Sequence, residues 1–344
     1  MSPQITFKST PSRAPAPGEA LTDLAGKTVP PAPSLAEVVR PEYRPSHGNP
    51  PDRLPAAPYG VSDLGAAAAL RVIGPEREAW MQGMQSADVS AAPMGGAVAA
   101  LFLGGKGRLV TEGLVWRFPE ELIVTTLPER LDALQEHLDK LLIMEDCELS
   151  RAEGLHRLRF APGESPLGRF EEVIGSLQPL GLELLVPAER APELIAALPA
   201  APPAAVEAWR VALGVPAWGS ELDEEATPVD AGLDRQISFA KGCYVGQEVV
   251  AMATYRGRVA WNLVRLQVQG AVPAPGARLD PSRPAQGKRG RVTSATQAGG
   301  ISALLGYVHK ELIVPGSAVA LEDGRTATVL GLPYGSLPGA GVCA

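Results

Sequence analysis

The 344-residue chain is poor in the side chains that bind metals or build disulfides: it has three cysteines, Cys147, Cys243 and Cys343, and four histidines, at 47, 137, 156 and 309. Three distant cysteines match neither a paired disulfide framework nor a zinc site, and the scattered histidines have no metal-ligand spacing. This cysteine usage fits a reducing cytosol. No apolar run reaches the ~18 residues that a membrane helix needs. The N-terminus lacks a basic region followed by an apolar stretch, so no secretory signal is expected. Positive charge is short as well: 31 Lys and Arg against 38 Asp and Glu leave a net charge of −7. That balance speaks against broad nucleic-acid binding, which phosphate neutralisation drives. One small basic cluster, Lys288-Arg289-Gly290-Arg291, reads as a turn between strands, with local RNA contact as the alternative.

What is present is a globular composition. With 45% hydrophobic and 20% charged residues, the chain is long enough for two or three packed units. Residues 1–20 are small, polar and proline-bearing and read as a disordered tail. Residues 28–58 are proline-rich but carry Val29, Leu35, Val38, Val39, Tyr43 and Leu54, which reads as an extended arm. Strands are expected at 70–73, 97–103, 109–117 and 122–126, and the spacing of Leu131, Leu134, Leu138 and Leu141 predicts a helix over 127–142. A similar mixture follows: strands at 147–151, 156–160 and 182–186, and helices at 168–177, 188–198 and 205–213. This is an α+β body with antiparallel sheets, in two similar halves split near 145. From 261 to 344, short strands between Gly/Pro turns predict a small C-terminal β-barrel, with a sandwich as the alternative.

Residues 236–258 concentrate the chemistry. At their centre stands Lys241-Gly242-Cys243-Tyr244-Val245-Gly246-Gln247-Glu248. The glycines point to a backbone that bends or approaches something closely. An ammonium and glycine-turn N–H groups beside a thiol favour thiolate chemistry. The alternatives are a buried structural Cys243, a surface charge at Lys241, and packing roles for Tyr244 and Tyr255. Gln247 and Glu248 could equally cap backbone or pair with Arg256 or Arg258.

This block, followed by Tyr255-Arg256-Gly257, resembles the signature of the YgfZ family of folate-binding proteins implicated in iron–sulfur cluster assembly or repair. That family is related to the T-protein (aminomethyltransferase) of the glycine cleavage system. Residues 209–216, Glu221-Leu222, 227–230, 290–294, 303–308, 59–64 and 82–89 extend the likeness over roughly residues 20–335. The resemblance implies a T-protein-like body over 21–260, arranged around an opening that holds tetrahydrofolate or a one-carbon derivative. It implies a functional thiol at Cys243, whose role in redox, cluster contact or capture stays open. It also makes Lys241, Tyr244, Gln247, Glu248, Tyr255, Arg256 and Arg210 candidate folate contacts, guanidinium being suited to the glutamate tail. Iron–sulfur client or assembly proteins are the implied partners.

Two departures from T-protein matter. Thr111-Glu112 stands where paired aspartates would sit, and Ala212 where a pterin-gripping glutamate would be. A carboxylate is the natural acceptor for an aminopyrimidine edge, and alanine offers none. Glu112 is a candidate catalytic group in place of the aspartate, but it is one methylene longer, and catalysis is sensitive to such displacement. Classical aminomethyl transfer is therefore not expected. A folate-dependent aminomethyl- or methyltransferase using Glu112 is the alternative function, and an interaction module with a vestigial pocket is a third. One motif cysteine cannot hold a cluster alone, so any cluster contact is transient or shared.

Overall fold

The structure, a computed structural model, describes residues 21–22, 28–29, 55, 58–161, 175–196, 198–256, 259–298 and 300–333. The expected tail, most of the arm and Cys343 lie outside the described residues. Met1–Arg44 and Pro45–Ala344 form separate compact units. In the first, Leu21–Thr22 pairs antiparallel with Thr28–Val29.

Among its described residues the second unit is built on three antiparallel sheets. Its elements are β1 (Val61–Ala66), β2 (Ala68–Ile73), α1 (Arg77–Met84), β3 (Ala97–Leu103), β4 (Leu109–Arg117), β5 (Glu121–Thr126), α2 (Leu131–Asp139) and β6 (Glu148–Arg151). Then come β7 (Leu155–Phe160), β8 (Gly175–Gln178), β9 (Gly181–Pro187), α3 (Ala191–Ala196), α4 (Pro203–Leu213) and α5 (Gln247–Arg256). The last strands are β10 (Trp261–Gln269), β11 (Val292–Ala298), β12 (Ile301–His309), β13 (Ala318–Ala320) and β14 (Thr326–Gly331). The first sheet runs β3-β4-β5-β2-β6, the second β8-β9-β7-β1.

Alternation along the strands decides the layering. In the first sheet Val98, Ala100, Phe102, Val115, Leu122 and Val124 pack with Trp80 and Met81 of α1 and Leu134 and Leu138 of α2. The opposite face carries Ala97, Ala99, Leu114, Trp116 and Ile123 and meets Leu155 and Leu185 of the second sheet. That second sheet buries Leu158, Phe160, Leu184 and Val186 against Ala191 and Leu194 of α3. The two sheets thus lie face to face, each with helix on its far side.

A split near residue 145 does not describe these sheets. β1 and β2 are separated by Ala67 alone, yet β1 pairs with β7 in the second sheet while β2 stays in the first. β6 crosses the other way, pairing with β2. The helix expected over 168–177 is also corrected: Gly175–Gln178 is a strand paired with β9, and 162–174 lie outside the described residues. Close backbone approach explains the two glycines, since a Cβ on Gly181 would sit 2.0 Å from the Phe160 carbonyl oxygen and one on Gly175 2.9 Å from the Glu183 carbonyl oxygen.

The C-terminal region, expected as a barrel, is a five-stranded antiparallel sheet ordered β11-β12-β10-β14-β13. Residues 277–280 bond to both of its edges: Val292 N–H donates to Ala277 C=O, and Asp280 N–H to Ala320 C=O. A buried ion-pair network ties this sheet to α4. Arg210 donates to Glu207, to Glu221 at 2.9 Å, to the Val215 carbonyl and to Ser294 Oγ, which in turn donates to Glu221 at 2.6 Å. Glu221 is 1% exposed. Removing one member of a buried pair strands the other charge. Glu221→Ala is therefore expected to destabilise the protein by about 3–5 kcal/mol in urea unfolding; a loss under about 1 kcal/mol would contradict a structural role for the network.

Candidate functional site

The motif loop is held against the C-terminal end of α1. Ser238 N–H donates to Ser86 C=O and Val245 N–H to Gly83 C=O, pinning the loop on both sides of the thiol. Lys241 Nζ donates to the Gln82 carbonyl at 2.6 Å and to the Gln85 carbonyl, and lies 5.0 Å from the Tyr244 ring centre. The last carbonyls of a helix have no partner within it, and α1 has no basic residue in its last turn. Lys241 supplies the missing donor and a charge favourable to that end of the dipole. Burial draws its ammonium down to about 8, opposed by the nearby Asp88 carboxylate.

The next residues fix the register. Tyr244 is buried among Leu101, Leu103, Leu109 and Ile237, and burial pushes its phenol up to about 12. Its N–H donates to Gln247 Oε1 at the start of α5. Gly246 has φ +84°, and a Cβ there would meet Gly104 O and Leu103 Cβ at 2.9 Å. Only glycine combines that conformation with that approach to the β3–β4 turn. Between these anchors Gly242 and Cys243 are exposed, as is Glu248, and Phe239 nearby is 45% exposed. The chain thus clamps the residues around Cys243 and leaves the thiol in solvent. Cys147, by contrast, is partly buried, and desolvation and the Glu145, Glu76 and Asp146 carboxylates push its thiol up.

Glu112 occupies a different place. On β4 it pairs with Leu101 and shares a face with Leu114 and Trp116, so it points into the space between the two sheets. Across that space the second sheet presents Arg157, Arg159 and Glu183 on the face that carries Leu155 and Leu185. Arg157 donates through Nε to Glu183 Oε1 at 2.8 Å and through Nη1 to Thr126 C=O, while Arg159 Nη2 donates to Glu183 Oε2 at 2.9 Å. Arg159 Nε is buried without a partner. No hydrogen-bond donor among the described residues reaches the half-buried Glu112 carboxylate. Desolvation raises it to about 7, with the two arginines pulling the other way. Glu112 stands out in the sequence but Arg157, Arg159 and Glu183 do not, although charged residues alternating with Leu158 and Phe160 in an otherwise core strand are a signal for the two arginines.

The remaining candidates are dispersed. The Arg210 guanidinium is committed to Glu207, Glu221, Ser294 and Val215. Ala212 is 2% exposed in the same helix. Tyr255 and Arg256 continue α5, but their side chains, and Arg258, lie outside the described residues. The basic cluster is spent internally: Lys288 donates to Leu222 C=O, Arg289 to Asp230 and Arg291 to Gly276 C=O. Among the described residues no group of three or more His, Cys, Asp and Glu side chains could hold a metal ion.

Two outcomes are expected from this geometry. In Lys241→Met the Gln82 and Gln85 carbonyls lose their donor, so amide exchange at Ser238 and Val245 should accelerate while exchange in β10 and β12 stays unchanged; unaltered loop exchange would sink the clamp. Glu112 holds its proton to about 7 in the fold against an ordinary 4.5. Its contribution to stability is therefore full below the lower value and lost as pH rises through the higher one. Glu112→Gln, which cannot ionise, should gain up to about 3 kcal/mol relative to wild type between pH 4.5 and 8; a pH-independent difference in unfolding free energy would contradict the buried carboxyl.

No family model matches the chain. Among curated proteins it is 25% identical over 305 residues, 79% of this chain and 78% of the relative, to a mitochondrial protein of Pyricularia oryzae named iron–sulfur cluster assembly factor IBA57 homolog. It is also 25% identical over 308 residues, 80% of this chain and 71% of the relative, to a chloroplastic protein of Arabidopsis thaliana that carries the name of a transferase. Among solved structures, the glycine cleavage system aminomethyltransferase T of Bartonella henselae matches with TM-score 0.66 and 18% identity, covering 80% of this chain and 86% of that one. These relatives lend no support to a specifically cytosolic location; among the described residues no helix is long and apolar enough to cross a membrane. The chain has the fold of glycine cleavage T-protein, and its relatives include iron–sulfur cluster assembly factors of the IBA57 kind, as its motif from Lys241 to Glu248 implies.

Proposed function

We propose that the protein supports the assembly or repair of iron–sulfur enzymes through Cys243 and binds a tetrahydrofolate-type ligand between its two facing sheets. The single observation that carries the first half is the exposed thiol on a clamped loop. A thiol whose neighbours are fixed by Lys241, Tyr244 and Gly246 meets a partner in one geometry, with little ordering cost on binding. The relatives named as iron–sulfur cluster assembly factors support the same reading. A cluster in transit is cargo here: Cys243 offers one thiolate, and a client or assembly protein has to supply the rest. The three cysteines in the sequence fit a reducing compartment, the cytosol being the simplest.

The second half rests on two polar groups that face the space between the sheets without a hydrogen-bond partner among the described residues, the half-buried Glu112 carboxyl and the buried Arg159 Nε. Buried polar atoms are ordinarily hydrogen-bonded, and a bound ligand is one way to satisfy those that are not. The Glu112 carboxyl is suited to N–H groups of a pterin and Arg159 Nε to an acceptor, so these residues fit the ligand. Bound folate would supply one-carbon carriage. Ala212 supplies no acceptor, which speaks against the aminomethyl transfer of T-protein itself. The reading also treats the C-terminal sheet, whose edges both bond to residues 277–280, as a small barrel.

A transferase is the second reading. It is favoured by the Arabidopsis relative's name and by a carboxyl poised near 7, in the range useful for proton transfer. Turnover of an aminomethyl or methyl donor with tetrahydrofolate, lost in Glu112→Gln, would establish it. The primary reading predicts that cells carrying only Cys243→Ser lose iron–sulfur enzyme activity to the level of a deletion, while the purified variant melts like the wild type. Full activity of those enzymes with Cys243→Ser in place would refute it.

A further inference from the structure

Away from the motif, the turn after α2 holds two large apolar side chains out in water. Ile143 is 80% and Met144 90% exposed. The turn is built: Glu145 Oε2 accepts the N–H groups of both Ile143 and Met144, at 3.1 and 3.0 Å. Glu76 Oε2 accepts Asp146 N–H at 2.7 Å, and the backbone of Gly74, at φ +112°, lies so close that a Cβ would be 2.4 Å from the Asp146 carbonyl oxygen. Ile73, 38% exposed, ends β2 beside it. A turn strapped at this many points cannot fold its apolar tip back onto the body.

We propose that Ile143, Met144 and Ile73 form the centre of a protein-docking surface whose partner presents an apolar cleft rimmed by lysine and arginine. The charge around the tip selects that occupant. Asp139, Glu145, Asp146 and Glu148 flank it in the chain and Glu76 binds its backbone, while the nearby cations are engaged elsewhere: Lys140 with Glu136, Arg151 with Asp132 and Gln135, and Arg77 with the Gly74 and Pro119 carbonyls. An acidic rim is repelled by anionic lipid, which argues against a membrane. A second copy of this chain offers little free charge in its Lys288–Arg291 cluster, where Lys288 pairs with Asp223 and Arg289 with Asp230. Apolar anchors at the centre of a patch with complementary charge at its edge are the ordinary anatomy of a specific interface.

The test places the photoreactive residue benzoylphenylalanine at position 144 of the full chain in cells and identifies the adduct by mass spectrometry. The adduct protein is then purified and titrated against the wild type. One protein adduct is expected, whose affinity falls at least ~30-fold with the pair Ile143→Ser and Met144→Ser and weakens as salt rises, with the variant's melting temperature unchanged. The proposal is overturned by an adduct within the same chain, by binding of wild type to phosphatidylcholine–phosphatidylglycerol vesicles that the serine pair abolishes, by affinity indifferent to the serine pair, or by no adduct above that from an exposed site in the C-terminal sheet.

Discussion

A buried guanidinium has to find acceptors for its N–H groups, and the way Arg210 finds them organises everything downstream of it. Its bonds to Glu221, Val215 and Ser294 fix the end of α4, the beginning of the connection that follows and the sheet strand β11 at one point. The same connection is tied down again where Lys288 reaches the Leu222 carbonyl and Arg289 reaches the buried Asp230. Twenty residues of irregular chain would otherwise cost considerable entropy to hold in one place. Anchored this way, they deliver Ile237 and Ser238 to the end of α1, and from there the position of Cys243 is settled within a few residues.

The site that results separates two chemistries. Charged groups facing the space between the sheets include Glu112, Arg157, Arg159 and Glu183, of which Glu183 is saturated and Glu112 is not. The thiol lies at the surface, on a loop whose own polar groups are turned inward. Lys241 illustrates the division: its charge serves the carbonyls of α1 and the Tyr244 ring rather than solvent. A ligand in the interior and a protein at the thiol could therefore be handled by residues that do not compete with one another.

Much of this was legible in the residues. Strands such as Ala97–Leu103 and Leu109–Arg117 are buried on both faces, so their composition alone marks them. The exchange of β1 and β6 between sheets was not legible, because Val61–Ala66 mixes Ser62, Asp63 and Gly65 with few apolar residues and is held by pairing rather than by pattern. The strand at Gly175–Gln178 depends on how closely two backbones approach, a property of the partner and not of the segment. At the motif the thiol and the glycines stood out. The direction of Lys241 did not, since a lysine reads alike whether it meets a ligand, water or the end of a helix 156 residues away in sequence.

The central claim is that the interior carboxyl and the surface thiol have separate tasks. Titration calorimetry with tetrahydrofolate tests it most directly, using wild type, Cys243→Ser and Glu112→Ala in parallel. The account predicts binding to wild type, the same affinity in Cys243→Ser, and at least ~10-fold weaker binding in Glu112→Ala, the cost of one lost hydrogen bond to a charged or polarised group. Loss of binding in Cys243→Ser alone would make the thiol part of the ligand site, and no binding in any of the three would remove folate from the account.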